Sequence, residues 1–372
     1  MTKILNWGLL STARINRALI PPLQVSKRNH LLAVASRSQA TADAYAKEKK
    51  IARAHGSYEA LLADPDIDAV YNSLPNHLHA EWTIKAVQAG KHVLCEKPFG
   101  IDAGQAARMW ALARESHRVC MVDYMFRMAP ERVRLKELLD GHEIGRIIRV
   151  TVEWTVRGRA AGNSAWSWQF DPSFGGGVLF AFGAHVVDYL QWLVGPVRSV
   201  AARLSTRGGP AQSAPMDRPV AADTLDAMML LDGDIPVSIT VSNATPGGRG
   251  HWLTIYGERG ALIVGNANLA DTVIGTRLYQ SDAATGALRD IPVVSIAGEG
   301  AADGRTLLVG RMAECFAGAI RSGASAAPSF EDGWRAQVVM DAMRLAHDRQ
   351  CWIPVGFPTG QDEFTSPGRR LQ

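Results

Sequence analysis

The chain has 372 residues, of which 47% are hydrophobic and 20% are charged, and its formal net charge at pH 7 is +4. This length and composition predict a globular protein of two domains, each large enough to bury its own core. The weak, interspersed charge argues against a nucleic-acid partner, because no basic run alternates with aromatic residues, and it leaves anionic small molecules open.

The first third of the chain alternates short apolar runs with helical periodicity, the pattern of βαβ units that build a parallel sheet. Strands are predicted at 4–10, 31–36, 69–73, 92–95 and 119–122, and helices from 12 onward and at 41–49, 78–89 and 103–115. The pair Pro21-Pro22 is expected to stop the first helix, because proline has no N–H to donate. The carboxyl ends of these strands should form one edge, where open α/β sheets bind ligands.

The pattern changes after Gly145, where a run of β-branched residues begins. The second part is predicted to contain one strong helix at 177–193 and strands at 197–205, 225–231, 237–242, 252–256 and 261–264. Two amphipathic helices, 306–320 and 334–349, are candidates to pack back on the first part. We therefore predict an α/β protein with domains at 1–125 and 126–356 and a mobile tail at 357–372; the second domain is α+β with a mostly antiparallel sheet.

The cysteines and the N-terminus indicate a compartment. Cys95, Cys120, Cys315 and Cys351 show no paired metal spacing, so we expect buried, reduced thiols rather than a disulfide framework. The first strand follows Met1 almost at once, without the regions of a signal peptide, and no apolar run is expected to reach membrane-spanning length. These features predict a cytoplasmic protein without a membrane partner.

The turn after the first strand is the first candidate for cofactor binding. The three glycine positions of the dinucleotide fingerprint G-x-G-x-x-G are occupied here by Ser11, Ala13 and Asn16. Small residues at the first two positions still let backbone N–H groups at the helix start approach a pyrophosphate. The competing interpretation is an ordinary tight turn. On the dinucleotide interpretation the binding residues are Gly8, Ser11, Thr12, Ala13, Arg14 and Ile15.

The end of the second strand bears on the choice of dinucleotide. An acid at this point would bind the ribose 2′-hydroxyl of NAD, but Ser36-Arg37 occurs instead. A hydroxyl beside a guanidinium suits a 2′-phosphate, because no carboxylate repels it. We therefore favour NADP and keep NAD open. The alternative is that Arg37 is a solvated surface residue.

Two later strands end in proline turns. We assign the polar and flanking residues of both turns to the cofactor: Ser73, Leu74, Asn76, His77, Glu96 and Lys97. A simple helix cap explains Asn76 equally well. The spacing His77-x-His79 would suit a metal, but no third ligand follows, so no metal is predicted.

These elements resemble the family of glucose-fructose oxidoreductase, inositol dehydrogenase and the rhizopine-catabolism protein MocA. The likeness covers nearly the whole chain and depends on the first strand and turn, the turn 72–77, Glu96-Lys97-Pro98, Tyr124-x-x-Arg127 and the segment 175–185 ending in His185. It implies an N-terminal Rossmann domain, a C-terminal sheet that mediates a homo-oligomer (dimer or tetramer), and nicotinamide-dependent redox chemistry on a sugar or cyclitol. It also implies that Lys97 touches both cofactor and substrate.

The chain departs from the family at one position. Four residues before His185 many members carry an aspartate, and Ala181 occupies that position here. Positions four apart share a helical face, so the usual carboxylate partner of the imidazole is lost. Asp188, three residues further along, is a candidate to orient the ring, and a structural ion pair is its competing role.

Hydride transfer needs a group that takes or gives the hydroxyl proton of the substrate. We predict His185 as the proton acceptor, because imidazole titrates near neutral pH, and Lys97 as its electrostatic partner. The competing roles are a core histidine and a solvated strand-end lysine. For the substrate we assign Tyr124, Arg127, Trp166 and Trp168 beside Lys97 and His185; core packing of the tryptophans and a salt bridge of Arg127 remain alternatives.

The leading hypothesis is an NADP-preferring dehydrogenase or reductase of a sugar, sugar derivative or cyclitol. Three alternatives remain: a dihydrodiol dehydrogenase, a redox-assisted glycosidase, and a non-catalytic dinucleotide-sensing regulator. The presence of both Lys97 and His185 favours catalytic turnover over sensing.

Overall fold

The computed structural model describes residues 4–158, 165–208, 217–293 and 303–357. Its first part contains a six-stranded parallel sheet in the order β3-β2-β1-β4-β5-β6. The strands are β1 (Leu5–Leu9), β2 (Asn29–Ala35), β3 (Arg53–His55), β4 (Ala69–Asn72), β5 (His92–Cys95) and β6 (Cys120–Val122). The strand order changes direction at β1, and this topology forms a crevice above the carboxyl ends of β1 and β4.

The helices of the first part connect these strands. They are α1 (Asn16–Val25), α2 (Gln39–Lys49), α3 (Tyr58–Ala63), α4 (His79–Gln88) and α5 (Ala103–Glu115). The expectation that Pro21-Pro22 ends the first helix was wrong, because α1 continues through both prolines to Val25. Tertiary packing accounts for this, since Pro22 lies against Gly310 of a helix from the end of the chain.

The second part is built on a nine-stranded sheet. It is antiparallel except for one parallel pair, β7 with β10, which confirms the predicted mostly antiparallel sheet. The strand order is β14-β13-β12-β11-β7-β10-β9-β8-β15. The strands are β7 (Ile147–Thr155), β8 (Val197–Ser205), β9 (Thr224–Leu231), β10 (Ile235–Ser242), β11 (Gly250–Gly257), β12 (Gly260–Asn266), β13 (Arg277–Asp282), β14 (Leu288–Ile291) and β15 (Ile353–Pro354).

The remaining helices follow β6 in the chain. They are α6 (Pro130–Asp140), α7 (Ala184–Leu193), α8 (Arg305–Ser322) and α9 (Phe330–Arg349), and a π-helical segment, Leu179–Gly183, leads directly into α7. α9 packs on the first part: Trp110 and Trp334 stack with ring centroids 4.5 Å apart. Within the proposed tail 357–372, only Phe357 belongs to the described residues; 358–372 lie outside them.

One apolar stretch is longer than the sequence led us to expect. Residues Pro172–Leu193 are long and apolar enough to cross a membrane by length and composition, but most of this stretch is buried inside the protein. The core helix of a soluble protein can have the same length and composition, so the stretch is weak evidence for a membrane span. The expectation about thiols was half right: Cys95 and Cys120 are buried, whereas Cys315 and Cys351 are exposed, and all four are free.

Candidate active site

A cavity of about 1110 Å³ lies along the carboxyl ends of β1, β2, β4 and β5 and extends to the π-helical segment. Almost every residue assigned to the cofactor from sequence lines it: Ser11, Thr12, Ala13, Arg14, Ile15, Ser36, Arg37, Ser73, Leu74, Asn76, His77, Glu96 and Lys97. These residues are far apart in sequence and come together because parallel strands end at one edge of the sheet.

Gly8 is the exception, and its assignment to the cofactor does not fit the structure. It lies within β1, and a Cβ there would be 2.7 Å from Cδ2 of Leu61 on α3. The glycine therefore allows close packing of helix against strand. It is not among the residues that line the cavity.

The turn between β1 and α1 is held by side chains in place of glycines. The Ser11 hydroxyl accepts a hydrogen bond from Ala13 N (3.1 Å) and bonds the Ser73 hydroxyl (2.9 Å). Ser73 donates to Asn16 Oδ1 at 2.6 Å, and Asn16 Nδ2 donates to Ser11 O at 2.8 Å. Ser11 has φ = 156°, a backbone conformation that favours glycine, so this network stabilises a strained turn.

The start of α1 offers hydrogen-bond donors to the cavity. Within the described residues, the N–H groups of Arg14 and Ile15 have no protein acceptor, and both residues line the cavity. Free amides at a helix N-terminus are the usual ligands of a pyrophosphate. The turn therefore fits a dinucleotide despite its weak glycine fingerprint.

The end of β2 provides a place for the adenosine side of a dinucleotide. Ser36, the exposed Arg37 and the buried ring of Tyr58 all line the cavity. No ion pair joins Arg37 to a carboxylate in the part of the chain that the structure describes. Its guanidinium is thus available to an anionic ligand.

Lys97 follows β5 and reaches the second part of the chain. Its Nζ donates to the carbonyl oxygen of Ala181 in the π-helical segment at 2.9 Å. Its backbone N–H donates to Glu96 Oε2 at 3.2 Å. Burial lowers the pKa of Lys97 below its usual value, and the charge of Glu96 opposes that shift. An ammonium held in this way can stabilise an oxyanion in the cavity.

His185 lines the same cavity from α7. The imidazole is 4% exposed and meets the ring of Phe126 edge-on, with centroids 4.8 Å apart. Burial lowers the pKa of His185 well below its usual value, and the positive charge of Lys97 adds to the shift. These effects favour the neutral form of the ring, and its Nδ1 has no hydrogen-bond partner in the described ranges.

Asp188 does not orient His185, contrary to that hypothesis. Its carboxylate receives two hydrogen bonds from Arg127, at 2.6 and 3.1 Å, and Arg127 also contacts Asp332 of α9 at 3.0 Å. Arg127 is 7% exposed and does not line the cavity, so its guanidinium is not placed to bind a substrate there. The structural ion pair is the interpretation that fits both residues.

The aromatic residues assigned to the substrate divide into two groups. Trp168 lines the cavity, whereas Trp166 stacks against Phe170 at 5.9 Å and does not. Tyr124 is fully buried behind the cavity wall, with its ring centroid 6.2 Å from that of His185. Only Trp168 of the three is therefore placed to touch a ligand.

His79 does not form a metal site with His77. Its two ring nitrogens lie 2.7 Å from Pro98 O and 2.8 Å from Leu74 O, and the side chain is fully buried. Across residues 4–158, 165–208, 217–293 and 303–357, no three His, Cys, Asp or Glu side chains form a group that could hold a metal ion.

Sequence reasoning missed a carboxyl cluster beside Lys97. The Tyr71 hydroxyl donates to Glu96 Oε1, and Asp123 Oδ2 lies 3.4 Å from the same hydroxyl. Burial raises the pKa of both carboxyl groups, Glu96 and Asp123. Asp123 follows β6 directly, so the strand-end signal that identified Lys97 would also have identified it.

A second missed group comes from the distant start of α8. Asp303 receives hydrogen bonds from Arg17 (2.7 Å) and from Arg305, and all three side chains line the cavity. This contact joins residues 286 positions apart in sequence. No local pattern could have predicted it.

Comparison with known proteins identifies both parts of the chain. Residues 5–124 match the model of the oxidoreductase family's NAD-binding Rossmann fold, and residues 136–355 match the C-terminal alpha/beta domain of the same Gfo/Idh/MocA family. An uncharacterised oxidoreductase of Synechocystis is 34% identical over 347 residues, covering 90% of this chain and 92% of the relative.

Two further relatives carry more specific names. A D-xylose 1-dehydrogenase (NADP(+)) of Haloferax volcanii is 37% identical over 203 residues, or 54% of this chain and 61% of the relative. The structure of levoglucosan dehydrogenase in complex with NADH and levoglucosan is similar over 95% of this chain and 100% of that chain, with 25% identity and a TM-score of 0.84. The protein therefore belongs to the Gfo/Idh/MocA family of nicotinamide-dependent oxidoreductases.

Proposed function

We propose that this oxidoreductase acts on a hydroxyl-bearing carbon of a sugar, sugar derivative or cyclitol, with NADP as the preferred dinucleotide. The observation that carries the proposal is that Lys97 and His185, from two different parts of the chain, line one cavity. The names of the xylose and levoglucosan dehydrogenases support a sugar as the substrate class.

The chemistry divides between two side chains. A nicotinamide dinucleotide held by the residues of the β1 and β2 ends would supply the hydride acceptor for oxidation of the carbinol carbon, or the hydride donor for the reverse reaction. Lys97 stabilises the negative charge that develops on the substrate oxygen. His185, neutral before the reaction, takes the hydroxyl proton as the carbonyl forms, and gives it back in reduction. Neither Ala181 nor Asp188 supplies a carboxylate to support the imidazole. Lys97 therefore contributes more to stabilising the transition state, through its charge, than His185 does.

The cofactor half of the proposal depends on Ser36 and Arg37. Both line the cavity beyond the carboxyl end of β2, where a 2′-phosphate would lie if the ribose binds as it does in Rossmann folds. A guanidinium without a carboxylate partner among the described residues favours the phosphate over a plain hydroxyl. We also propose that the protein acts in the cytoplasm as a dimer or tetramer, with a small sugar or polyol as its partner and neither nucleic acid nor a membrane.

Turnover measurements test the assignment of Lys97. The absorbance of reduced nicotinamide is followed with NADP and NAD against D-xylose, levoglucosan, myo-inositol and a dihydrodiol. Lys97→Ala should lower kcat/KM for the best substrate at least about 100-fold, because the oxyanion loses its charge partner. Dinucleotide binding, measured by fluorescence, should remain within a few-fold.

Lys85→Ala is the control, because it removes the same charge from a half-buried site on α4 that does not line the cavity. It should leave the kinetics unchanged. Full activity of Lys97→Ala would overturn the role of the lysine, and the absence of turnover of any sugar or cyclitol by the wild type would overturn the substrate class.

A further inference from the structure

Several buried polar atoms in the cavity wall have no hydrogen-bond partner among the described residues. They are Nδ1 of His77, Oδ1 of Asp123, Nε1 of Trp154, Nδ1 of His185 and Oδ1 of Asn243. A buried donor or acceptor without a partner is costly, so native proteins keep such groups where a ligand or water satisfies them. Trp154 and Asn243 have no part in the chemistry assigned above.

Stacking contacts hold the Trp154 side chain in place, and its one polar atom is the indole nitrogen. Its ring is 3% exposed and stacks on Phe182 at 4.4 Å and on His251 at 4.0 Å, nearly parallel to both. An indole nitrogen can only donate. Its centroid lies 6.3 Å from that of His185, so one small substrate can reach both side chains. A ligand at Trp154 must therefore present an acceptor.

Asn243 is fixed by its backbone. Its carbonyl oxygen accepts from Gly158 N at 2.7 Å, and its N–H donates to Asp223 O at 3.0 Å. The approach to Gly158 requires a glycine, because a Cβ there would lie 2.6 Å from Cβ of Asn243. Its side chain lines the cavity, and its Oδ1 has no hydrogen-bond partner among the described residues.

Trp154 lies near the end of β7, and Asn243 directly follows the neighbouring strand β10. In the parallel pair of β7 and β10, Val241 is opposite Trp154 and Ser242 is opposite Thr155, so Asn243 is two residues beyond the position facing Trp154. Because β7 and β10 are parallel, both residues lie at the same edge of the second sheet, and both line the cavity.

We propose that the Trp154 indole N–H and the Asn243 carboxamide bind a substrate hydroxyl other than the one that reacts, and so select polyhydroxylated substrates over simple alcohols. A hydroxyl is the small group that accepts from the indole and donates to the amide oxygen at the same time. A carboxylate or ketone cannot donate, and an ammonium cannot accept. This inference rests on the proposed function, since it describes the substrate of that same cavity.

The test compares a sugar with its own deoxy analogues. The parent is D-xylose or levoglucosan, whichever the wild type turns over faster, and each monodeoxy derivative is measured beside it. The wild type should discriminate against one derivative about ten-fold or more in kcat/KM. Trp154→Phe keeps an aromatic ring to stack but removes the N–H, and should reduce that discrimination to near unity, mainly through a higher KM.

Two further variants keep the result interpretable. Asn243→Ala should abolish the same discrimination, and it tests the proposal even if Trp154→Phe does not fold. Trp252→Phe, on neighbouring β11, removes an indole N–H that is bonded to Arg249 O away from the cavity, and should leave the pattern unchanged.

The outcomes separate the two proposals. If the wild type oxidises or reduces the parent but Trp154→Phe and Asn243→Ala retain its deoxy pattern, this inference is wrong and the proposed function survives. If the wild type turns over no sugar or cyclitol, the proposed function fails and the inference fails with it.

Discussion

At the scale of single residues, Arg37 gives the sharpest test of cofactor choice. Arg37→Ala should weaken NADP binding about 10- to 100-fold, because a charge-assisted contact to the 2′-phosphate contributes roughly 1.5–3 kcal/mol. NAD, which lacks that phosphate, should be weakened less than about three-fold. Dissociation constants from fluorescence titration of both reduced dinucleotides check this.

The control for Arg37 lies at the other end of the same strand. Arg28 precedes β2 and is exposed, and Arg28→Ala removes an equal charge far from the carboxyl edge. It should change neither dissociation constant. If Arg37→Ala weakened the binding of NAD and NADP equally, the guanidinium would not contact the 2′-phosphate.

Residue placements could be predicted where they depend on strand ends. Ser36, Lys97 and Asn76 line the cavity because each follows a strand of one parallel sheet, and apolar runs reveal strands. Partners could not be predicted in the same way. The helical period places Asp188 near the face of His185. It cannot reveal that Arg127, 61 residues earlier, donates hydrogen bonds to the Asp188 carboxylate. A buried guanidinium left without that partner would be strongly destabilising.

At the scale of elements, the contact between α1 and α8 depends on a glycine. A Cβ at Gly310 would lie 2.9 Å from Cβ of Pro22, whose ring cannot rotate away. Gly310→Ala should therefore lower the free energy of unfolding by about 1 kcal/mol or more, because the gain in helix propensity does not offset the overlap. Urea denaturation measures the change.

Gly318 in the same helix provides a matched comparison. Nothing lies within 4 Å of the position that its Cβ would occupy. Gly318→Ala should raise the free energy of unfolding by roughly 0.5–1 kcal/mol through helix propensity alone. If both alanines stabilise the protein, the contact between α1 and α8 is looser than the structure indicates.

Elements with strong local signals were predictable, and short ones were not. The helix at 103–115 was predicted with the bounds that α5 has, and Asp102 caps it by accepting from Gln105 N at 2.7 Å. β3 has three residues and α3 has six, too few to show a period. The continuation of α1 through two prolines comes from packing against α8, which no window of local sequence contains.

At the scale of the whole molecule, buried cationic side chains surround two buried histidines where the two parts of the chain meet. His251 of β11 stacks on Trp154, and Arg132 of α6 lies 3.3 Å from its Nε2. Burial, with the charge of Arg132 added, lowers the pKa of His251 well below its usual value. His185 is depressed for the same reasons, with Lys97, Arg132 and Arg305 as its cationic neighbours.

This arrangement makes stability depend on pH with a definite sign. Unfolded histidine takes up a proton near pH 6.5, whereas the buried rings do so only at lower pH. As pH falls below about 6.5, the unfolded state therefore binds more protons than the native state, and the free energy of unfolding falls. Each such histidine contributes a slope of up to about 1.4 kcal/mol per pH unit.

The slope can be assigned to one ring by substitution. His251→Phe keeps a ring to stack on Trp154 but cannot be protonated, so the free energy of unfolding should fall less steeply between pH 6.5 and 5 than in the wild type. Urea denaturation at several pH values measures both curves. His117→Phe makes the same substitution at an exposed histidine and serves as the control. An unchanged slope in His251→Phe would mean that His251 takes up its proton in the native state too, and that the core tolerates two adjacent positive charges.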